Sequence, residues 1–308
     1  MRILVTGGHG LVGQALIRQL KVLGYGADEI LSPSSRVLNL TDWDRTWEYF
    51  LAYQPDVVFH AAAKVGGIMA HSRLGADFIR DNLRIQTNTM EAALGCGVSR
   101  FLFFGSACAY PKHAQVPIQE NQLMCGPLEE TNRAYAVAKI AGIKMCQAIR
   151  EQHKRHFISC MPTNLYGIGD NYHPEHSHVL PGMVRKFHEA VKAKANDVIL
   201  WGSGTPTREF LFADDLAEAA IKLLVAGKAD DLTNIGSGEE LILGTLAGLV
   251  AEATGFTGNI HWDKSKPDGT PRRLLNSHKI FELGWKPRTN IKDGIKLAYQ
   301  DFLCRNEH

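Results

Sequence analysis

Tyr135 and Lys139 stand four residues apart in Tyr135-Ala136-Val137-Ala138-Lys139, which puts both side chains on one face of a helix. A free tyrosine titrates at about 10, and a neighbouring ammonium favours its phenolate, so the pair has the chemistry to exchange a proton. Ser106 follows the apolar run Phe101-Leu102-Phe103-Phe104-Gly105, where a strand should end. Its hydroxyl is suited to hydrogen-bond an oxygen on which charge develops. Cys108 comes two residues later, and His178 lies far along the chain in His173-Pro174-Glu175-His176-Ser177-His178. A thiol and an imidazole each move protons near neutral pH when their surroundings tune them. Removing a proton from carbon beside a ketone is acid–base work, and inverting that carbon needs removal from one face and delivery to the other. Cys108 and His178 on opposite faces of a ring would do both. Each also has a plainer reading. Free cysteine is usually a small core residue, and a loop holding three histidines is equally a solvated loop or a metal ligand set. Tyr-x-x-x-Lys is common by itself; Ser106, Tyr135 and Lys139 carry the signal together.

Such groups must be held at the carboxyl ends of strands, and the chain supplies strands in the right places. Residues 2–6 are apolar and β-branched, as in a parallel strand buried on both faces. Residues 56–60 and 101–104 read the same way, with helical stretches between. Strand–helix alternation implies right-handed crossovers and a parallel sheet covered on both faces, an α/β Rossmann-type doubly wound fold. Gly7, Gly10 and Gly13 form G-x-x-G-x-x-G between the first strand and a helix starting at Leu11. Glycines there allow a sharp turn and close approach of a pyrophosphate, and the helix N-terminus supplies N–H donors. The cofactor-binding turn is therefore Gly7, Gly8, His9, Gly10, Leu11, Val12 and Gly13. The second strand, near Glu29-Ile30-Leu31, ends in Ser32-Pro33-Ser34-Ser35-Arg36 with no acid after it. An acid would pair with ribose hydroxyls and favour NAD, whereas a guanidinium grips a 2′-phosphate. Arg36 thus points to NADP(H), with a solvated loop arginine as the alternative.

The alternation loosens after about residue 165, where loops and helices with Gly and Pro punctuation take over. Residues 1–165 are expected to bind the dinucleotide, and 166–308 to form a smaller, mainly substrate-binding α/β domain. Residues 232–236 read as a late strand returning to the main sheet, and 267–273 as an exposed loop. A formal net charge of +2 gives no dense basic stripe for nucleic acid. Six scattered cysteines without C-x-x-C spacing argue against a zinc site or disulfide framework. The opening residues MRILVTGG read as strand and turn with no basic leader, and no apolar run reaches the roughly 20 residues of a membrane span. The expected setting is cytoplasmic, with no metal and no membrane.

Beyond these patterns the chain resembles the extended short-chain dehydrogenase/reductase family over most of its length. GSACAYP (105–111), YAVAK (135–139), AAAKVGGI (61–68), MPTNLYG (161–167), SHVLPGMVRKFHEA (177–190), WGSGTPTREFLFADD (201–215) and SKPDGTPRR (265–273) look like the matching segments of its GDP-L-fucose synthase branch. That resemblance implies catalytic Ser106, Tyr135 and Lys139 for reduction, and Cys108 and His178 for proton exchange at two sugar carbons. It further implies that Pro162, Asn164, Leu165 and His178 line the nicotinamide, and that Lys186, Trp201, Arg208 and Asp268 hold the substrate. The implied reaction is NADPH-dependent 3,5-epimerisation and 4-reduction of GDP-4-keto-6-deoxy-D-mannose to GDP-L-fucose, in a homodimer. Two other readings stay open: a related enzyme acting on another GDP-keto sugar such as a deoxy-heptose, and an NAD-dependent nucleotide-sugar 4-epimerase. Ala107 and Ala109 depart from the larger or hydroxylated residues that branch leads one to expect beside Cys108, and the 32–38 loop differs in length and composition.

Overall fold

The computed structural model describes residues 1–174, 176–227, 231–266 and 268–306. Glu175 of the histidine-rich loop and Pro267 of the 267–273 loop lie outside the described residues. The strands are β1 Ile3–Thr6, β2 Ile30–Leu31, β3 Val57–His60, β4 Arg100–Phe104, β5 His156–Pro162, β6 Asn164–Tyr166, β7 Asp197–Trp201, β8 Thr207–Phe212, β9 Leu232–Ile235, β10 Glu240–Ile242, β11 Asn259–Asp263 and β12 Arg272–Arg273. The helices are α1 Leu11–Val22, α2 Trp43–Tyr53, α3 Ile68–Arg73, α4 Gly75–Gly95, α5 Arg133–His153, α6 Val179–Lys192, α7 Ala213–Val225, α8 Leu243–Thr254, α9 His278–Glu282 and α10 Ile291–Asn306.

Six strands form one sheet in the order β2-β1-β3-β4-β5-β9, and every pairing in it is parallel. The chain leaves β1 toward β2 and then crosses back to β3, so the strand order reverses at β1. Ligands bind outside the carboxyl ends of the strands at such a switch point, and the glycine turn of residues 7–13 sits there. The central strands are buried along their length because helices cover both faces. One face packs Leu16, Leu20, Leu216 and Leu223 from α1 and α7 against Ile3, Val5 and Phe104. The other packs Met90, Ile143 and Cys146 from α4 and α5 against Phe101, Phe103 and Phe157.

Helix α5 lies unusually close to the sheet because Gly142 has no side chain. A Cβ there would run into the Phe103 ring and stand 3.0 Å from Gln86 Oε1. Gln86 Nε2 in turn donates to the Ala138 carbonyl at 2.8 Å, tying α4 to α5. This approach sets the height at which Tyr135 and Lys139, in the first two turns of α5, meet the end of β4.

A third core joins α6, α8 and α10 to the short strands of the second half, with Phe187, Tyr166, Phe210 and Phe256 buried. This half is α/β, with more strand than the sequence reading of loops and helices gave it. β6, β8, β10 and β12 form a small mixed sheet, and β7 pairs with β11. Most of these strands are short and mix polar with apolar residues; β7 carries the apolar run Val198-Ile199-Leu200-Trp201, yet its burial alternates. In the 267–273 segment Asp268, Gly269, Pro271 and Arg272 are exposed, as the loop reading expects, but its end is built into the sheet. Arg272 and Arg273 pair in parallel with Thr207 and Arg208 on β8, and Thr270 and Arg273 are buried. Among the described residues no helix is long and apolar enough to cross a membrane.

Candidate active site

The glycine turn is shaped for a dinucleotide. Gly7 has φ +69°, and a Cβ on it would come within 2.8 Å of the Ala62 backbone. A Cβ on Gly13 would collide with the Gly7 carbonyl oxygen and lie 2.6 Å from Gly8 Cα. Gly10 caps α1 without any side-chain hydrogen bond, so first-turn N–H groups remain for an anion. His9 and Gly10 are exposed at the tip, Leu11 and Val12 are half-buried, and Gly8 and Gly13 are buried. The donor set and the absence of side chains fit a pyrophosphate. Gly13→Ala is expected to displace the turn and weaken NADPH binding by on the order of ten- to a hundred-fold, from an over-packing cost of about 1–3 kcal/mol. Fluorescence titration checks this; an unchanged dissociation constant would mean that the turn does not hold the cofactor.

The 32–38 loop lies beside that turn: a Cβ on Gly8 would stand 2.8 Å from Ser32 Cβ. Arg36 is exposed in the same loop, which is closed by Ser34 accepting from the N–H groups of Val37 and Leu38 at 3.0 and 2.9 Å. Pro162 ends β5 in the core. Asn164 and Leu165 are half-buried in β6, and Asn164 Nδ2 donates to the Glu209 carbonyl at 2.8 Å, which commits its amide to holding β6 against β8.

At the end of β4 the chain turns through Gly105 into a single 3-10 turn, Ala107–Ala109, with Ser106 as its N-cap. Ser106 Oγ accepts from the Cys108 N–H at 3.3 Å and lies close enough to the Tyr135 phenol to favour its ionised form. Ala107 and Ala109 are buried in the α4–α5 core, so Cys108 alone of the three faces the site, half-buried. Lys139 is only 4% exposed, and its Nζ donates to the Phe104 carbonyl at 2.7 Å while lying 5.8 Å from the Tyr135 ring centroid.

The sequence reading has the ammonium favouring a phenolate, and the structure reverses that balance. Burial pushes the Tyr135 phenol well above its ordinary value, a negative charge on Cys108 pushes it further, and only Ser106 pulls it back. Burial also lowers Lys139 to about 8. Tyr135 is thus held as an acid, the form that gives a proton to an oxygen gaining charge. Lys139 is charged below about 8 and loses its proton above it, so a reductive rate that needs the ammonium is expected to fall as pH rises through about 8. A single-turnover profile flat to pH 10 would contradict that role.

His178 is the N-cap of α6. It keeps part of its surface in solvent, yet the protein packed around its imidazole lowers its pKa. The neutral form of the imidazole is therefore favoured. Beside Tyr135 stands His71, which sequence reasoning does not single out. Its ring lies 5.0 Å from that of Tyr135 and 4.2 Å from Phe78, and it feels the charge of His178. Burial lowers His71 to about 4. Ser106, Tyr135, Lys139 and Cys108 are therefore gathered at one place, and His178 is linked to it by its charge acting on His71.

The four substrate candidates lie in two neighbouring pairs, Lys186 with Trp201 and Arg208 with Asp268. Arg208, on β8, donates to the carbonyls of Thr207 and Asp268 at 2.8 and 3.2 Å. Asp268 accepts from the Ser203 N–H at 2.6 Å and its hydroxyl at 2.8 Å. Trp201, at the end of β7, is 54% exposed, with Lys186 Nζ 5.8 Å and Lys266 Nζ 5.7 Å from its ring. A broad exposed indole flanked by two cations suits a flat anionic ligand. Among the described residues no group of three His, Cys, Asp or Glu side chains is placed to hold a metal.

This sheet, turn and Ser–Tyr–Lys cluster define a class, and the chain belongs to the NAD dependent epimerase/dehydratase family, whose model matches residues 3–236. Within that class it is similar to the GDP-L-fucose synthases. A protein of Oryza sativa subsp. japonica named "Probable GDP-L-fucose synthase 1" is 52% identical over 303 residues, covering 98% of this chain and 92% of that one. Among solved structures, a GDP-L-fucose synthetase from Naegleria fowleri bound to NADP is 29% identical with a TM-score of 0.87, covering 99% of this chain and 94% of that chain. A GDP-6-OMe-4-keto-L-xylo-heptose reductase from C. jejuni is 31% identical with a TM-score of 0.90, covering 99% and 98%.

Proposed function

We propose that this protein is an NADP(H)-dependent enzyme that epimerises GDP-4-keto-6-deoxy-D-mannose at C3 and C5 and reduces it at C4, giving GDP-L-fucose. The observation that carries this reading is Cys108 facing the same site as Ser106, Tyr135 and Lys139, in a chain 52% identical almost end to end to a relative bearing the fucose synthase name. A 4-epimerase that cycles bound NAD has no evident use for a thiol and an imidazole beside the triad. The C4 ketone acidifies the protons at C3 and C5, so both inversions precede reduction. Cys108 and His178 exchange protons with those carbons from opposite faces. Ser106 holds the C4 oxygen, Tyr135 protonates it, and Lys139 is fixed by the Phe104 carbonyl where it reaches the cofactor ribose. A bound reduced nicotinamide supplies the hydride.

On this reading residues 1–165 mainly bind the cofactor and 166–308 mainly bind the substrate. Gly7 to Gly13 receive the pyrophosphate, Arg36 the 2′-phosphate, and Pro162, Asn164, Leu165 and His178 border the nicotinamide. Arg208 and Lys186 face the diphosphate, Trp201 the base and Asp268 a hydroxyl. The working form is read as a homodimer packed through α5, where Val137 is exposed; light scattering of the purified protein tests it. Six unpaired thiols suit a reducing cytoplasm.

The TM-score of 0.90 to a heptose reductase favours one further reading, a GDP-keto-heptose as substrate. Offering each purified GDP-keto sugar with NADPH separates the two. Faster oxidation of NADPH with the 6-deoxyhexose is expected, and turnover confined to the heptose would replace the primary reading.

A further inference from the structure

Arg273 is 8% exposed and, among the described residues, pairs with no carboxylate. Its guanidinium donates to Thr270 Oγ1 at 3.1 Å and directs Nη1 at Cys108 Sγ, 3.7 Å away. An arginine stays protonated in proteins, and burying that charge is costly unless an anion offsets it. A second guanidinium stands beside it. Arg208 is its register partner on β8, the two cations disfavour each other, and a negative charge on Cys108 favours Arg208. The carboxylate that bears on Arg208, that of Asp268, is turned onto Ser203.

The placement is built into the fold. Glu209, fully buried between Arg208 and Phe210, accepts from the N–H groups of Leu275 at 3.0 Å and Gly238 at 2.8 Å. These bonds hold the chain just beyond β12 against β8, 66 positions away in sequence. Among the described residues, the charged and titratable groups seen to bear on the Cys108 thiol include Arg273 from β12, Arg208 from β8 and Tyr135 from α5.

We propose that Arg273 is the electrostatic partner of Cys108, holding it as a thiolate and aiming its lone pair into the site, with Arg208 as the second cation. This rests on the reading of Cys108 as the group that exchanges protons with the sugar. The thiolate takes the proton from carbon, the C–H electron pair passes into the C4 carbonyl to give an enolate, and an S–H remains. The enolate carbon is then reprotonated on its other face through His178, whose imidazole passes on a proton taken up from solvent. Arg273 acts through Cys108 and is a positioning residue.

The test is the pH dependence of iodoacetamide alkylation of the NADPH-saturated enzyme, read at the Cys108 peptide by mass spectrometry. The exposed Cys125 and Cys304 serve as references in the same molecule. Cys108 is expected to react at lower pH than they do, because Arg273 Nη1 is aimed at its sulfur. Arg273→Met is expected to move the Cys108 midpoint upward and to cut deuterium wash-in at pH 7 about tenfold, a loss recovered at higher pH because it reflects thiolate fraction. Arg273→Lys, which keeps the charge and loses the fork, should fall between. A Cys108 midpoint equal to those of the exposed thiols, or one that Arg273→Met leaves in place, would overturn the assignment. Alkylation needs no sugar, so a low midpoint in a protein that turns over no GDP-keto sugar would uphold the assignment of Arg273 and sink the epimerase reading instead.

Discussion

Replacing Cys108 with serine is expected to slow deuterium wash-in at C3 and C5 by roughly 10³-fold, within the range for loss of a general acid–base group, while NADPH binding changes little. Serine keeps the shape of the side chain but is not ionised near neutrality, so the site loses its base and not its packing. Cys108 sits on a 3-10 turn whose flanking Ala107 and Ala109 are buried in the sheet–helix core, and Ser106 accepts from its backbone N–H; neither support depends on sulfur. The ketone that does react should be reduced without inversion, so the product should shift toward the unepimerised sugar. Wash-in by the serine variant within a few-fold of wild type would remove Cys108 from the chemistry.

Tyr135→Phe is expected to give the opposite pattern, with reduction slowed by about 10²–10⁴-fold and wash-in largely kept. The phenol is held protonated by burial against Phe78 and His71 and by the charge on Cys108. Its removal therefore deprives the developing C4 alkoxide of a proton donor while leaving the thiol in place. Isotope incorporation and NADPH oxidation measured on the same sample separate the two steps. Equal loss of both activities in both variants would contradict the division of labour.

The parts of the site that follow from local pattern are legible in the chain itself. The β-branched run of β1, the glycine spacing after it and the four-residue interval from Tyr135 to Lys139 each report on one element. What stays hidden depends on residues brought together from far apart. The partner of Lys139 Nζ is a backbone carbonyl on β4, which no side-chain motif reveals. The direction in which Tyr135 titrates is set by burial beneath a helix some sixty residues earlier, where His71 stands. Arg273 lies in a Gly- and Pro-rich stretch that reads as exposed, and only the two-residue pairing of β12 with β8 turns it inward toward Cys108. A run of two adjacent arginines carries no periodicity, so its burial had no local signal beyond likeness of the segment to relatives.

The central claim is that one site inverts two carbons and then reduces a third. It is tested most directly by running the reaction with NADPH and GDP-4-keto-6-deoxy-D-mannose in D₂O and examining the product sugar by NMR. The account predicts GDP-L-fucose carrying deuterium at C3 and C5 and protium at C4. A C4-reduced product with protium at C3 and C5 and its original configuration would contradict it, leaving a reductase in which Cys108 and His178 move no protons at carbon.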